Sequence, residues 1–330
     1  MEIGSGPLRI QVVSDGRVGM ENQALGLAEA VARLKPAVIT MKRVRWRRAF
    51  DWLPVGLKSP GMLDPAGDAP FPTEGQPWPD LWIATGRATL PLSLAARRLG
   101  GGQTFVVQTQ DPRIDPAGFD LIVAPAHDGL TAPNVVSITG SPHRITPDAL
   151  AAAAPAFADR LDALSRPRVA VLIGGRSKAF DLTEDHALAL ADRIEAAVRA
   201  VDGALLLTFS RRTPALARAA MTTRLSDLPG WIWDGSGPNP MFAFLQAADH
   251  ILVTEDSANM AAEAASTGKP VHILPMIARK APGKFARLHA DLAERGAARP
   301  FDGVLETWTY PPLAETDRAA RVILKRMGRL

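Results

Sequence analysis

The sequence predicts an α/β protein with two parallel-sheet domains in succession, and three observations carry that expectation. Short Val/Ile/Leu runs alternate with longer segments of helical period, the pattern of parallel strands covered on both faces. The alternation runs through once, stops at an alanine-rich stretch from Ala149 to Leu164, and resumes directly after Ser165-Arg166-Pro167. The chain has 330 residues, enough for two cores of ordinary size.

Strands are expected at 8–13, 80–84, 104–108, 120–123 and 135–138. A second series is expected at 168–173, 204–208, 230–232, 249–253 and 271–274. Between them, helical spacing marks 20–34, 87–99, 183–200, 213–221, 240–247 and 257–267. The alanine-rich stretch reads as a connecting helix with Pro155 near its start or at a kink. Ala319, Val322, Ile323 and Met327 place an apolar stripe on a closing helix over 314–328. The expected domains are 1–160 and 161–313, hinged near 155–167, and the closing helix must dock on one of them.

Composition excludes several kinds of chemistry. Cysteine is absent, so disulfides, thiolate zinc sites and thiol catalysis are ruled out. The six histidines show no H-E-x-x-H spacing, so no metal site is expected. A net charge of +4 is small for this length, and no nucleic-acid partner is expected. The opening MEIGSGPLRI lacks the basic and apolar regions of a signal peptide, and no run reaches the ~18 apolar residues of a membrane span. A cytoplasmic location follows as the expectation.

In the second half, polar loops follow the strands. Gly174-Gly175-Arg176-Ser177-Lys178 combines close backbone approach with cations suited to a diphosphate, without Walker spacing. Ser210-Arg211-Arg212-Thr213-Pro214 ends the next strand. Ser210 or Thr213 would cap a helix, but capping leaves the two arginines unexplained. Thr254 to Ala264 opens a helix of small residues at Ser257, Ala258 and Asn259, with Glu263 about two turns in.

The first half has similar loops. Ser14 to Gly19, Thr85-Gly86-Arg87, Gln108 to Arg113 and Ala126-His127-Asp128 each end a strand. They offer Asp15, Asp111, His127 and Arg113 as an acid–base set. The first loop is not G-x-G-x-x-G, which argues against a nicotinamide site.

These motifs carry a resemblance. SDGRVGMENQALGLAEAV, TGRATLP, QTQDPR, APAHD, GGRSK, SRRTP, EDSANMAAEAASTGKPV and KFARLHADLAERGAARPF, in this order, resemble the "elongated mitochondria" fission-protein family. That family is similar to GT-B glycosyltransferases, with two Rossmann-like domains facing across a cleft, and the likeness implies that 314–330 crosses back onto the first. Residues 249–271 also look like the donor-binding strand and helix of such transferases and of non-hydrolysing UDP-N-acetylglucosamine 2-epimerases.

The likeness implies a glycosyltransferase using a nucleotide sugar, UDP-linked by first choice, with no further cofactor and no metal. Ser257, Ala258 and Asn259 would meet the diphosphate and Glu263 the ribose. Gly174, Gly175, Arg176, Ser210, Arg211 and Arg212 would complete the donor pocket. Asp111, then Asp15, then His127 would take the acceptor's proton. An adaptor of the same fold that recruits a protein partner, or a nucleotide-sugar epimerase or hydrolase, are the alternatives.

One segment breaks the alternation. Residues 42–79 open with Lys42, Arg43, Arg45, Arg47 and Arg48 and then hold seven prolines from Pro54 to Pro79. Trp46, Phe50, Leu53 and Leu57 recur at helical spacing beside the arginines. That pattern suggests an interfacial helix over 42–57 touching an inner-membrane surface and bringing in a lipid-linked or envelope glycan acceptor. The other reading is that Trp46 and Phe50 pack the insertion onto the first domain.

Overall fold

In the computed structural model, residues 6–281 and 283–330 are described, and they form two compact units. Unit 1 comprises residues up to Arg144 together with Ala314–Leu330. Its elements are β1 (Leu8–Ser14), α1 (Val18–Leu34), β2 (Ala37–Arg43), α2 (Arg48–Asp51), β3 (Leu81–Thr85), α3 (Leu90–Leu99), β4 (Phe105–Thr109), β5 (Leu121–Pro125) and β6 (Val135–Ile138). They build one parallel sheet ordered β2-β1-β3-β4-β5-β6.

Unit 2, Ile145–Leu313, begins with α4 (Pro147–Ala153) and α5 (Ala158–Asp162). It continues through β7 (Arg168–Ile173), β8 (Phe180–Asp181), α6 (Glu184–Ala200), β9 (Ala204–Phe209), α7 (Ala215–Leu225), β10 (Gly230–Ile232) and α8 (Met241–Ala247). Then come β11 (His250–Thr254), α9 (Ala258–Ala265), β12 (Val271–Leu274), β13 (Ile277–Ala278), α10 (Gly283–Glu294) and β14 (Ala298–Pro300). Its parallel sheet is ordered β10-β9-β7-β11-β12-β14. The last helix of the chain, α11 (Glu315–Arg326), belongs to unit 1.

The strands read from continuous apolar runs are buried on both faces, as β3, β5, β7, β9 and β11 show. In unit 1, Leu27 and Val31 of α1 and Ile323 and Leu324 of α11 pack over Ile10, Ile83 and Val107. Burying a side chain such as Ile323 or Leu324 contributes roughly 1.5–3 kcal/mol. Gly26 lets α1 meet the chain at His143, where a Cβ would lie 2.4 Å from a backbone carbonyl. The opposite face is covered by α3 and the insertion, with Trp46, Trp82, Leu92 and Phe119 at its centre.

Three parts differ from the sequence reading. β2 was not expected, because this edge strand alternates in burial and runs into the basic cluster, with no continuous apolar run. The interfacial helix over 42–57 is not formed. β2 ends at Arg43, Trp46 makes an isolated antiparallel bridge with Leu63, and α2 is a single turn. Trp46 is 6% exposed and its indole N–H donates to the carbonyl of Ala88 (2.8 Å), so the packing reading holds for it.

The division between units also falls earlier than residue 160. Leu150 and Leu161, with Phe157 between them, pack with Trp231 and Phe244 of the second core, which assigns the alanine-rich segment to unit 2. That segment is two short helices around a 3-10 turn at Ala154–Phe157, with Pro155 near the start of the turn.

Candidate functional site

In a parallel α/β sheet the loops at the carboxyl ends of the strands collect on one edge, where ligands bind. In unit 2 this edge brings together the loops after β7, β9 and β11. The Gly174 N–H donates to Thr254 Oγ1 (2.7 Å) and the Gly175 N–H to Asp256 Oδ2 (3.0 Å). Arg212 pairs with the same Asp256 oxygen at 2.8 Å, and the Asp256 side chain is fully buried. The Thr213 hydroxyl donates to the carbonyl of Gly174, and the Arg176 N–H to that of Arg212 (3.2 Å).

Both glycines are required here. A Cβ on Gly174 would sit 2.0 Å from Asp256 Oδ1, and one on Gly175 would sit 2.2 Å from the carbonyl oxygen of Arg212. Asp256, next to Ser257, does not cap the helix. It is instead the carboxylate that ties the glycine loop to the arginine loop, and Ser257 caps α9 by accepting from the Met260 N–H. Thr213 and Ser210 do not cap α7, whose N-cap is Pro214 without a side-chain bond. Arg211 is exposed and has no partner among the described residues.

Glu263 lies on α9, one turn and a half beyond Ser257. It is half-buried, no donor meets its carboxylate among the described residues, and burial pushes its carboxyl up to about 7. A carboxylate kept in that condition is costly unless hydroxyl or N–H donors reach it.

The sequence reading missed a further link. β8 and β13 pair antiparallel, joining the segment after Lys178 to the segment after β12. Asp181 then lies between Arg176 (3.6 Å) and Arg279 (4.0 Å). Two-residue strands carry no periodic signal, so nothing in the sequence marked this contact.

The unit 1 edge is organised by ion pairs. Asp15 pairs with Arg17 (2.7 Å), and Asp111 pairs with Arg113 (2.8 Å) while its other oxygen accepts from the Arg113 N–H (2.8 Å). Glu21 forks onto Arg43 at 2.8 Å, and the guanidinium holds its carboxyl below the usual range. Gln110 and Arg113 adopt left-handed backbone, with φ of 68° and 57°. A cavity of about 420 Å³ opens there, lined by Arg17, Gly86, Arg87, Gln110, Asp111 and Arg113 among others. His127 is instead buried in a 3-10 turn after β5, 4.0 Å from Asp128, and does not line that cavity. Of the expected acid–base set, only Asp111 and Arg113 share the cavity.

Two six-stranded parallel sheets of this order, each with its loops gathered on one carboxyl edge, define a GT-B-like protein with Rossmann-like units. The fold is similar to that of MurG from Acinetobacter baumannii, with a TM-score of 0.50, 16% identity, and 97% of this chain and 100% of that one covered. It is also similar to the UDP-GlcNAc 2-epimerase of Methanocaldococcus jannaschii, with a TM-score of 0.55, 12% identity, and 96% and 100% covered.

The chain belongs to the mitochondrial fission ELM1 family, whose model matches residues 18–327. It is 35% identical over 277 residues to the mitochondrial fission protein ELM1 of Arabidopsis thaliana, covering 76% of this chain. The match spans 64% of the length of that relative.

Proposed function

We propose that the protein transfers a sugar from a nucleotide donor, UDP-linked by first choice, to an acceptor hydroxyl. Glu263 is the observation that carries this reading: a half-buried carboxylate without a donor, on the helix that follows the Asp256–Ser257 loop. A ribose diol supplies the donors it lacks. Arg211, Arg176 and the first turn of α9 at Ser257, Ala258 and Asn259 neutralise the diphosphate as it leaves. The acceptor oxygen bonds to the anomeric carbon as the bond from that carbon to the diphosphate oxygen breaks. The proton goes to a carboxylate of unit 1, Asp111 before Asp15.

Two other readings each have one supporting observation. The likeness in fold to a UDP-GlcNAc 2-epimerase fits epimerisation or hydrolysis of the same donor. The fission name of the Arabidopsis relative fits a protein adaptor. Calorimetry with UDP separates binding from scaffolding. Arg211→Ala and Glu263→Ala are expected to weaken UDP by roughly 1.5–3 kcal/mol each, the value of a charge-assisted contact. If the wild type binds no nucleotide at millimolar concentration, the adaptor reading replaces both enzymatic ones.

Contact with a membrane surface belongs to this proposal. Among the described residues no helix is long and apolar enough to cross a membrane. Trp52 and Leu57 are 78% and 63% exposed, beside Arg47 and Arg48, which form no ion pair among the described residues. Val55 from the same loop lines the Asp111 cavity. An amphipathic loop, in place of the helix, would meet the anionic surface and bring a lipid-linked acceptor to that cavity.

A further inference from the structure

The carboxyl edge of unit 1 holds more cationic and hydrogen-bonding capacity than its own carboxylates use. Three guanidinium groups, Arg17, Arg87 and Arg113, line the cavity beside Asp111. Arg17 and Arg113 have carboxylate partners, whereas Arg87 has none among the described residues. Arg87 stands directly after β3, between the loops that carry the other two.

A second observation is independent of charge. Thr85 and Thr109 end β3 and β4 and face each other as register partners. Their hydroxyl oxygens are buried and make no hydrogen bond, and Thr109, 1% exposed, lines the cavity. Buried hydroxyls are normally satisfied, so an orphan at a cavity wall marks the place of an absent partner. The first turn of α1, which brings Arg17 and Met20 to the same cavity, has no side-chain cap. Left-handed backbone at Gln110 and Arg113 holds this loop in shape, strain of a kind that collects at binding sites.

We propose that this cavity binds a phosphoryl group, phosphate or diphosphate, gripped by Arg87 and Arg113 with the Thr109 hydroxyl donating to it. A phosphoryl group accepts from guanidinium forks and from a hydroxyl at once and also neutralises the guanidinium charge, which a neutral sugar does not. Arg113 drawn onto the anion leaves one oxygen of Asp111 without its guanidinium. Assigning the phosphate to the acceptor rests on the transferase reading; the anion site does not. Val55, Leu90 and Ile114 add apolar wall to the cavity, suited to a chain attached to the phosphate.

The test is calorimetry with inorganic pyrophosphate on the full chain carrying Arg176→Ala and Arg211→Ala, which removes both proposed arginine contacts to phosphate in unit 2. Arg87→Gln in that background is expected to raise the Kd at least tenfold. Thr109→Val is expected to raise it severalfold while leaving the unliganded melting temperature unchanged or higher, since valine removes the unsatisfied hydroxyl. No binding by the parent at millimolar pyrophosphate, or equal Kd in parent and both variants, overturns the site. UDP binding by the wild type reads the other edge and stands or falls separately. Farnesyl diphosphate binding more tightly than pyrophosphate assigns the phosphate to a lipid, and equal affinity assigns it to a soluble molecule.

Discussion

The two carboxyl edges are built from the same kind of strand end, yet they are held in different ways. In unit 2 the loops are locked by lack of space, with Gly174 and Gly175 pressed against Asp256 and the Arg212 backbone. In unit 1 the loops are held by exposed or half-exposed ion pairs, Asp15 with Arg17 and Asp111 with Arg113. A buried lock sets geometry and tolerates little change. An exposed pair is worth about 0–1 kcal/mol and exchanges partners readily. The contrast sets a preformed edge in unit 2 against an adjustable edge in unit 1, and it can be broken at several points.

The largest effect is expected at the lock itself. Asp256→Ala leaves the buried Gly175 N–H without an acceptor, at a cost of about 1–3 kcal/mol, and removes the partner of Arg212, whose guanidinium is 43% exposed and adds little to that cost. Asp111→Ala at the other edge should cost less than about 1 kcal/mol, because its partner Arg113 is largely solvated. Urea denaturation of the two variants checks the difference. Similar losses in both would mean that the edges are not distinct in construction.

Acid and base should separate the units. Burial lowers His143 in unit 1 and His272 in unit 2 to about 4 from 6.5. Both stay neutral in the fold while the unfolded chain takes up protons. The stability each supplies is full above pH 6.5 and is lost as pH falls toward 4, by at most about 3 kcal/mol per histidine. Unit 2 alone carries Glu263, raised from 4.5 to about 7. Its sign is opposite: the stability is full below pH 4.5 and is lost as pH rises through 7. Thermal melts across pH 4–9 should show acid loss in both units, with an alkaline loss that Glu263→Gln removes. An alkaline loss persisting in that variant would contradict the assignment.

Much of this was legible in the sequence. Strands buried on both faces write continuous apolar runs, which is why β7, β9 and β11 could be read directly. The edge strand β2 could not, since solvent on one side interrupts its apolar residues. The glycine, arginine and serine loops of unit 2 were legible as types, but the role of Asp256 was not. Its partners lie 44 and 81 residues away, at Arg212 and Gly175, and only folding brings them together. Helical spacing misled at Trp46, because a residue that anchors an insertion to a core can fall into register with neighbours on no shared helix.

The smallest effect concerns the exposed loop. Arg47→Gln and Arg48→Gln should each weaken flotation with anionic vesicles by about 1 kcal/mol and leave neutral vesicles unaffected. A wild type that stays off anionic vesicles at low salt would leave Trp52 and Leu57 as ordinary exposed surface.

The position of α11 has a consequence for how the protein is made. Ala319, Ala320, Ile323 and Leu324 complete the core over α1, so the first sheet lacks part of one cover until residues 315–326 have left the ribosome. Unit 2, contiguous from 145 to 313, has all its strands before that moment. The unit made first is therefore the unit that finishes folding last. During synthesis Ile10, Ile83 and Val107 wait partly uncovered through about 170 further residues, a window in which that apolar face is open to association with other chains.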